Sequence, residues 1–416
     1  MHKYLLKDIS QIYSGSTPST SDKANYGGNI IWITPKDLSV QKCKYINKGE
    51  KNITQKGYQS CSTTILPIGT VLLSSRAPIG LLAIASSELC TNQGFKNIVP
   101  NSDLIDSDYL YYFLSTKIRE IEALGSGTTF KEVSKTSLEN YQIFIHDIYD
   151  QKKISNFLNL LDKKIELNNK INFELEQIAK EWYNYWFVQF DFPGENGRPY
   201  KSSGGKMVYN EVLKREIPDG WEVKHLSDYF SLIKDGTHNP PKRVMEGIPL
   251  LTGTMFDEMF LNYKETTYIS RNDYEKIHKY YQPQIDDIII TKIGTVGKIN
   301  ILTMCDLPIA IHCNSAILRT LNKTNTLFVL FLLKSQEFKK HLRKKMSKTI
   351  QEYINLEQLS NVDVIFPSLE IQNKYSICVA PIYEKLNIIR EENTILTNIR
   401  DFLLPLLMNG QVSVQN

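Results

Sequence analysis

A chain that states one pattern twice at a fixed offset is constrained to fold as two copies of one unit. Gln151 and Gln372 are 221 residues apart, as are Asn172 and Asn393, and each pair lies inside a long apolar-periodic stretch. Asp150-Gln151-Lys152-Lys153-Ile154 opens the first stretch, and Glu370-Ile371-Gln372-Asn373-Lys374-Tyr375 opens the second. Such a repeat implies internal pseudo-symmetry, which suits a target with two halves.

The stretches themselves predict long helices. In the first, Ile154, Leu161, Leu175 and Trp182 fall seven or fourteen apart, with Leu158, Ile165, Ala179 and Trp186 four residues behind. In the second, Tyr375, Ile382, Ile389, Leu396 and Leu403 repeat the first series, and Val379, Leu386 and Leu407 the companion. This is a heptad seam. Asn172 and Asn393 hold the same seam position in both. A buried Asn costs stability but fixes register, so its repetition predicts that the two helices pack on each other. Each would be about 55 Å long at 1.5 Å per residue, too long to stand without a partner and suited to a rigid spacer.

Ahead of each helix lies a matching series of shorter elements. Ile30 to Thr34 and Ile248 to Thr252 read as strands ending in a small polar residue. Gly69 to Gly80 and Asp286 to Gly297 both read as a buried strand, a polar tip and a glycine-bearing loop into another strand. Helical segments follow near Tyr109–Leu114 and Phe328–Leu333, then loops at Gly125–Thr129 and Met346–Ile350. The globular regions match in pattern far more than in residues, whereas the helices match in phase throughout.

Composition bounds the remaining choices. With 416 residues and 42% apolar content, two sizeable cores are affordable, and a net charge of +4 permits a polyanionic partner without demanding one. Six cysteines without C-x-x-C and seven histidines without H-x-x-x-H favour a reduced cytosol over a disulfide framework or a zinc site. Met1 to Asp8 carries charges where a signal peptide needs an apolar run. Ser62 to Ser87 is broken by Pro67, Arg76 and Pro78, and its counterpart holds Asp286, Asp287 and Lys292, so no membrane span is expected. The expected location is the cytoplasm.

The segment between the halves carries a specific resemblance. Trp186-Phe187-Val188-Gln189-Phe190-Asp191-Phe192-Pro193, Gly197-Arg198-Pro199-Tyr200-Lys201-Ser202-Ser203-Gly204-Gly205-Lys206-Met207 and Ile217-Pro218-Asp219-Gly220-Trp221 closely resemble the central linker of type I restriction–modification specificity subunits. The order of elements matches that family over essentially the whole chain. The resemblance implies two α/β (α+β) target-recognition domains joined by two long antiparallel coiled-coil helices, as a pseudo-twofold repeat. The boundaries are then 1–147 for the first domain, 148–190 for its helix, 191–220 for the connector, 221–367 for the second domain, 368–408 for its helix and 409–416 for a tail.

The resemblance further implies a subunit without catalysis. Each domain would read one half of an interrupted double-stranded DNA target. The helices would set the spacing and dock two methyltransferase and two motor–nuclease subunits. Helix pairing would rest on Leu158, Leu161, Ile165, Asn172, Leu175, Ile382, Leu386, Ile389, Asn393 and Leu396. S-adenosylmethionine, ATP and Mg²⁺ would belong to those partners, with no cofactor or metal bound by this chain. The residues agree with that. Asn239-Pro240-Pro241 has Lys242 where an adenine methyltransferase needs an aromatic to stack on the flipped base. Gly294-Thr295-Val296-Gly297-Lys298-Ile299 lacks both the spacing and the Ser/Thr of a P-loop. Asp286-Asp287 stands where the first copy has Gly69-Thr70, so a turn before a strand is expected, and no histidine has a triad partner.

The strongest cationic signal is Lys339, Lys340, His341, Arg343, Lys344, Lys345 and Lys348, with Phe338, Leu342 and Met346 forming one apolar stripe. Charge runs are usually solvated faces. The matching first-copy segment, Ile118 to Gly127, is nearly neutral, so the fold does not require the charge; phosphate contact is expected. Base reading needs Arg, Lys, Asn or Gln at loop tips. The candidates are Lys36, Arg76, Asn92, Gln93 and Lys131 in the first domain, and Lys234, His238, Lys292, His312, Asn314 and Gln351 in the second. For each one alone, loop capping or surface charge explains the residue equally well. Two other readings stay open: a self-contained methyltransferase or nuclease–methyltransferase with fused recognition domains, and an assembly scaffold that no longer binds DNA.

Overall fold

The structure is a computed structural model that describes all residues except 42, 127–130, 240, 258, 264–265, 348–351 and 415–416. The chain forms two compact units, Met1–Asn169 with Asn393–Asn416, and Lys170–Glu392. The unit boundary falls inside both long helices, Ile148–Tyr183 and Leu369–Met408.

In the first unit the apolar run Val71–Ser75 is the central strand of a five-stranded sheet, paired antiparallel with Ile79–Ala85 and Phe95–Pro100. Because side chains alternate across a strand, Val71 and Leu73 enter one core with Ile98, Tyr109 and Leu158, while Leu72 enters a second with Ala83 and Phe95. Burial on both faces explains why the run is continuously apolar. A three-stranded sheet lies beside it, in which Tyr26–Ile33 runs parallel to Cys90–Thr91 and antiparallel to Lys51–Ile53.

The second unit repeats this plan. Ile288–Thr291 is the inner strand, with Ile288 and Ile290 in one core and Ile289 in the other. Ile248–Leu251 runs parallel to Ala310–Ile311 and antiparallel to Thr267–Ile269. The turn before the inner strand recurs as well: Gly69 has φ +87° and Asp286 φ +69°. Asp287 then takes a bidentate pair from Arg319 (2.7 and 2.8 Å), so this acidic pair belongs to a turn.

The helices pair antiparallel within each unit. In the first, Asp162 accepts from Arg400 (2.8 Å), and Leu158 shares a core with Leu403, Leu404 and Leu407. In the second, the Tyr375 hydroxyl donates to the Ala179 carbonyl (2.9 Å), and Leu175, Ile382 and Leu386 join one core. Leu161, Ile165 and Leu396 are half-buried and Ile389 is buried.

Two details differ from the heptad expectation. Trp182 is 42% exposed while Tyr183 and Phe187 are buried. An α-helix turns every 3.6 residues, so a strict seven-residue count drifts off the buried face over several turns. The second difference concerns the asparagines. Asn393 accepts from Asn168 (2.8 Å) and donates to Asn169 (3.0 Å). The residues 221 beyond those are Ile389 and Arg390, and Oδ1 of Asn172 is buried without a hydrogen bond. The seam Asn is satisfied in one copy only, because Ile389 offers no polar group.

The first helix ends in a π-helical turn, Asn184–Val188, closed by Gln189 N–H to the Asn184 carbonyl (2.8 Å). It directs Phe187 against Phe328 (4.7 Å between centroids) and leads Phe190 and Phe192 onto Trp221 (5.5 and 5.1 Å). The connector is therefore part of the second unit's core, with a hairpin of Met207–Asn210 and Arg215–Pro218.

His278 is 1% exposed between Tyr274 and Tyr281, and burial pushes its imidazole down to about 4. The unfolded chain binds this proton near pH 6.5 and the folded one does not, so stability rises with pH between about 4 and 6.5. The expected contribution is about 3 kcal/mol, present above pH 6.5 and lost as pH falls towards 4. His278→Leu should flatten this part of the pH dependence of the urea midpoint; an unchanged slope would refute the assignment.

Candidate nucleic-acid interface

Five segments of the first unit meet at one edge. Ser16 N–H donates to the Thr91 carbonyl (3.0 Å), Asn92 N–H to Ile33 (3.0 Å), Ser75 N–H to Gly94 (2.7 Å) and Val133 N–H to Ser75 (3.0 Å). The segments at 15–17, 33–34, 75–78, 91–94 and 131–133 therefore converge. The second unit repeats the stitching. Thr237 N–H donates to Ile311 (2.8 Å), Lys292 N–H to Asn314 (2.7 Å) and Ile354 N–H to Lys292 (3.0 Å). Close approach demands glycine at the same place in both: a Cβ on Gly15 would lie 2.1 Å from the Asn92 carbonyl oxygen, and one on Gly236 2.1 Å from that of Ile311.

In the first unit this edge gathers Arg76, Asn92, Gln93 and Lys131, whereas Lys36 sits not on a loop but in the adjoining short helix Pro35–Val40, capped by Thr34. Lys36 pairs with Glu50 (2.6 Å) at the rim of an open cleft of about 520 Å³ that is also lined by Trp32, Tyr26 and Lys23. The Glu50 carboxylate holds the Lys36 amine above its ordinary range by hydrogen bond and by charge. Asn92 Oδ1 caps Gly94 N–H (2.9 Å), Gln93 bonds Thr17, and Arg76 lies 3.7 Å from Glu132. Lys131 is exposed.

In the second unit the edge gathers Lys234, His238, Lys292, His312 and Asn314. Lys234 and His238 are exposed, but Lys234 belongs to the strand Phe230–Asp235, opposite Ile317, rather than to a loop; His238 lies 3.6 Å from Asp235. Burial, then the charges of Arg243 and His238, hold His312 below its ordinary range. Its Nδ1 accepts from Asn314 N–H (3.2 Å), which leaves Nε2–H as a donor. Lys292 differs from the other candidates: it is 5% exposed and paired with Asp235.

The basic segment is a helix, Gln336–Lys345, with Phe338 and Leu342 buried and Lys340, Arg343, Lys344 and Lys345 exposed. Lys339 is half-buried, and Lys345 lies 3.7 Å from Asp363. Ser347 N–H, just beyond the helix, donates to the Tyr353 carbonyl (3.1 Å), next to the Ile354–Lys292 bond, so the helix feeds into the edge. Lys348 and Gln351 lie outside the described residues, as does Pro240 of the Asn-Pro-Pro turn.

Sequence reasoning missed Lys96, Glu132 and Asp235. Lys96 is 6% exposed and 3.0 Å from Glu132. The available signal was a lysine inside the buried strand Phe95–Pro100; its partner, on a distant loop, has no local signal. Among the described residues no cluster of His, Cys, Asp and Glu could hold a metal, and no helix is long and apolar enough to cross a membrane.

Two repeated mixed α/β modules, each braced by antiparallel long helices and each presenting a stitched loop edge, define a two-module recognition architecture. The sequence model of the type I restriction modification DNA specificity domain matches residues 1–177 and 218–398, and the chain belongs to this family of specificity subunits. It is 33% identical to the type I restriction enzyme MjaIX specificity subunit of Methanocaldococcus jannaschii, over 99% of this chain and 93% of that one. It is 27% identical to the type I restriction enzyme HindI specificity subunit of Haemophilus influenzae, over 76% and 80%. The fold resembles the crystal structure of a type I restriction–modification S subunit from M. genitalium, with 19% identity, TM-score 0.55, and coverage of 98% and 95%.

Proposed function

We propose that each loop edge reads one half of an interrupted double-stranded DNA target, and that the long helices set the gap between the halves. The observation that carries this reading is the repetition of the stitched edge, with polar and cationic tips that differ between copies on one backbone plan. A common frame with divergent tips suits two half-targets of different sequence. The basic helix supplies phosphate contacts that position the second module.

The helices also offer docking positions. Leu167 and Ile388 are 53% and 58% exposed, and Ile178 and Ile399 are 40% and 41% exposed. Each pair is related by the 221-residue offset. Outward apolar residues recurring in both copies suit two copies of one partner, here the methyltransferase subunits, with motor–nuclease subunits in the full complex. S-adenosylmethionine, ATP and Mg²⁺ are then needed on those partners.

Mapping methylated adenines across the source genome with and without this gene tests the reading. One interrupted motif of two short halves should lose methylation in the deletion strain. Retention of every motif would refute it.

A further inference from the structure

Beneath each loop edge one lysine is withdrawn from solvent and paired with a carboxylate. In the first unit it is Lys96, whose side chain is 8% exposed, with Glu132, which also lies 3.7 Å from Arg76. In the second it is Lys292, whose side chain is 6% exposed, with Asp235, which also lies 3.6 Å from His238. The two pairs are not the same pair inherited twice. Strand register sets Lys96 opposite Ser14 and Ala316 opposite Asp235, so Lys96 corresponds to Ala316 and Ser14 to Asp235. Shared backbone bonds equate Ser75 with Lys292, and Glu132 with Tyr353 through the bridges Ser126–Glu132 and Ser347–Tyr353. None of the four charged positions carries a charge in the other copy.

An ion pair taken from water gains little net stability, because desolvation offsets the attraction. Its recurrence from different positions at the same place argues for a geometric role. Lys292 is the node of its edge. Its backbone bonds both the Asn314 and Ile354 segments, its side chain holds Asp235, and Asp235 leads into the Thr237–Cys313 stitch (3.0 Å). Glu132 does the corresponding work in the first unit by holding Lys96, on the strand Phe95–Pro100 beside the central one, and Arg76 at the tip.

We propose that Lys96 and Lys292 are positioning residues, each fixing the loop edge of its own module and so governing discrimination in one half-target only, without touching DNA. This rests on the DNA-reading function proposed above. The test uses the full chain assembled with its methyltransferase partner. Duplexes carry the mapped motif or single-base changes in either half, and binding is measured across a salt series. Lys292→Met should lower discrimination in one half by about tenfold, within the usual cost of one mismatched pair. The other half should be unchanged, and so should the slope of log affinity against log salt. Lys96→Met should give the mirror result, and Asp235→Asn, which keeps volume, should reproduce Lys292→Met.

Equal losses in both halves, or unaltered discrimination, would overturn the proposal. So would a salt slope reduced by about one, the mark of a direct phosphate contact. Unfolding of both Lys292→Met and Asp235→Asn would show a purely structural pair and overturn it too. A wild-type complex with no preference among duplexes would instead refute the DNA-reading function itself.

Discussion

Deleting one heptad from each long helix is expected to shorten the gap in the DNA target by about three base pairs, leaving both half-targets unchanged. Seven residues of α-helix span about 10 Å, and base pairs stack every 3.4 Å or so along B-DNA. Both helices must be cut. Removing residues from Ile148–Tyr183 alone would break either the Asp162–Arg400 and Asn168–Asn393 register or the Ala179–Tyr375 bond. Cutting both preserves 3.5-residue periodicity on each seam and keeps each unit's own pairings. Methylation mapping of the double deletion reads the outcome directly. An unchanged gap would remove the helices from the spacing role, and altered half-targets would place base reading outside the loop edges.

Neutralising the basic helix should produce the largest loss of affinity. Lys339, Lys340, Arg343 and Lys344 have no carboxylate partner among the described ion pairs, whereas Lys345 has Asp363. Glutamine at these four positions keeps helix propensity and leaves Phe338 and Leu342 buried. If all four contact phosphates, the salt slope falls by about three to four, and affinity near physiological salt falls by up to about a thousandfold. Base preference should be retained, since phosphate contacts position without specifying. A variant with unchanged salt slope would mark the helix as a solvated face.

Much of the architecture is legible in the sequence because it is written in local periodicity. Val71-Leu72-Leu73 and Ile288-Ile289-Ile290 announce strands buried on both faces, and the structure gives each a core on either side. The heptads from Tyr375 to Leu407 mark one buried helical face, and Tyr375, Val379, Leu386 and Ile389 are buried. The same periodicity misplaced Trp182, because the heptad count and the true helical repeat diverge with length. The candidate tips at Arg76, Asn92, Gln93 and Asn314 lie where the strand-and-loop pattern put them, on one edge in each unit.

What a given tip residue can do was not legible. Lys292 and Lys131 look alike in a list of loop cations, yet one is buried on Asp235 and the other exposed. Asn172 and Asn393 hold the same seam position, yet only the fold shows that Asn393 bonds Asn168 and Asn169. The sequence by itself determined the repeat, the order of strands and helices, and the faces they bury, since each follows from spacing within a short window. Only the tertiary structure decided which charges are withdrawn into pairs and which face outward. Those outcomes depend on side chains brought together by chain reversal, and the cost of desolvating a charge is set by its final surroundings rather than by its neighbours in sequence.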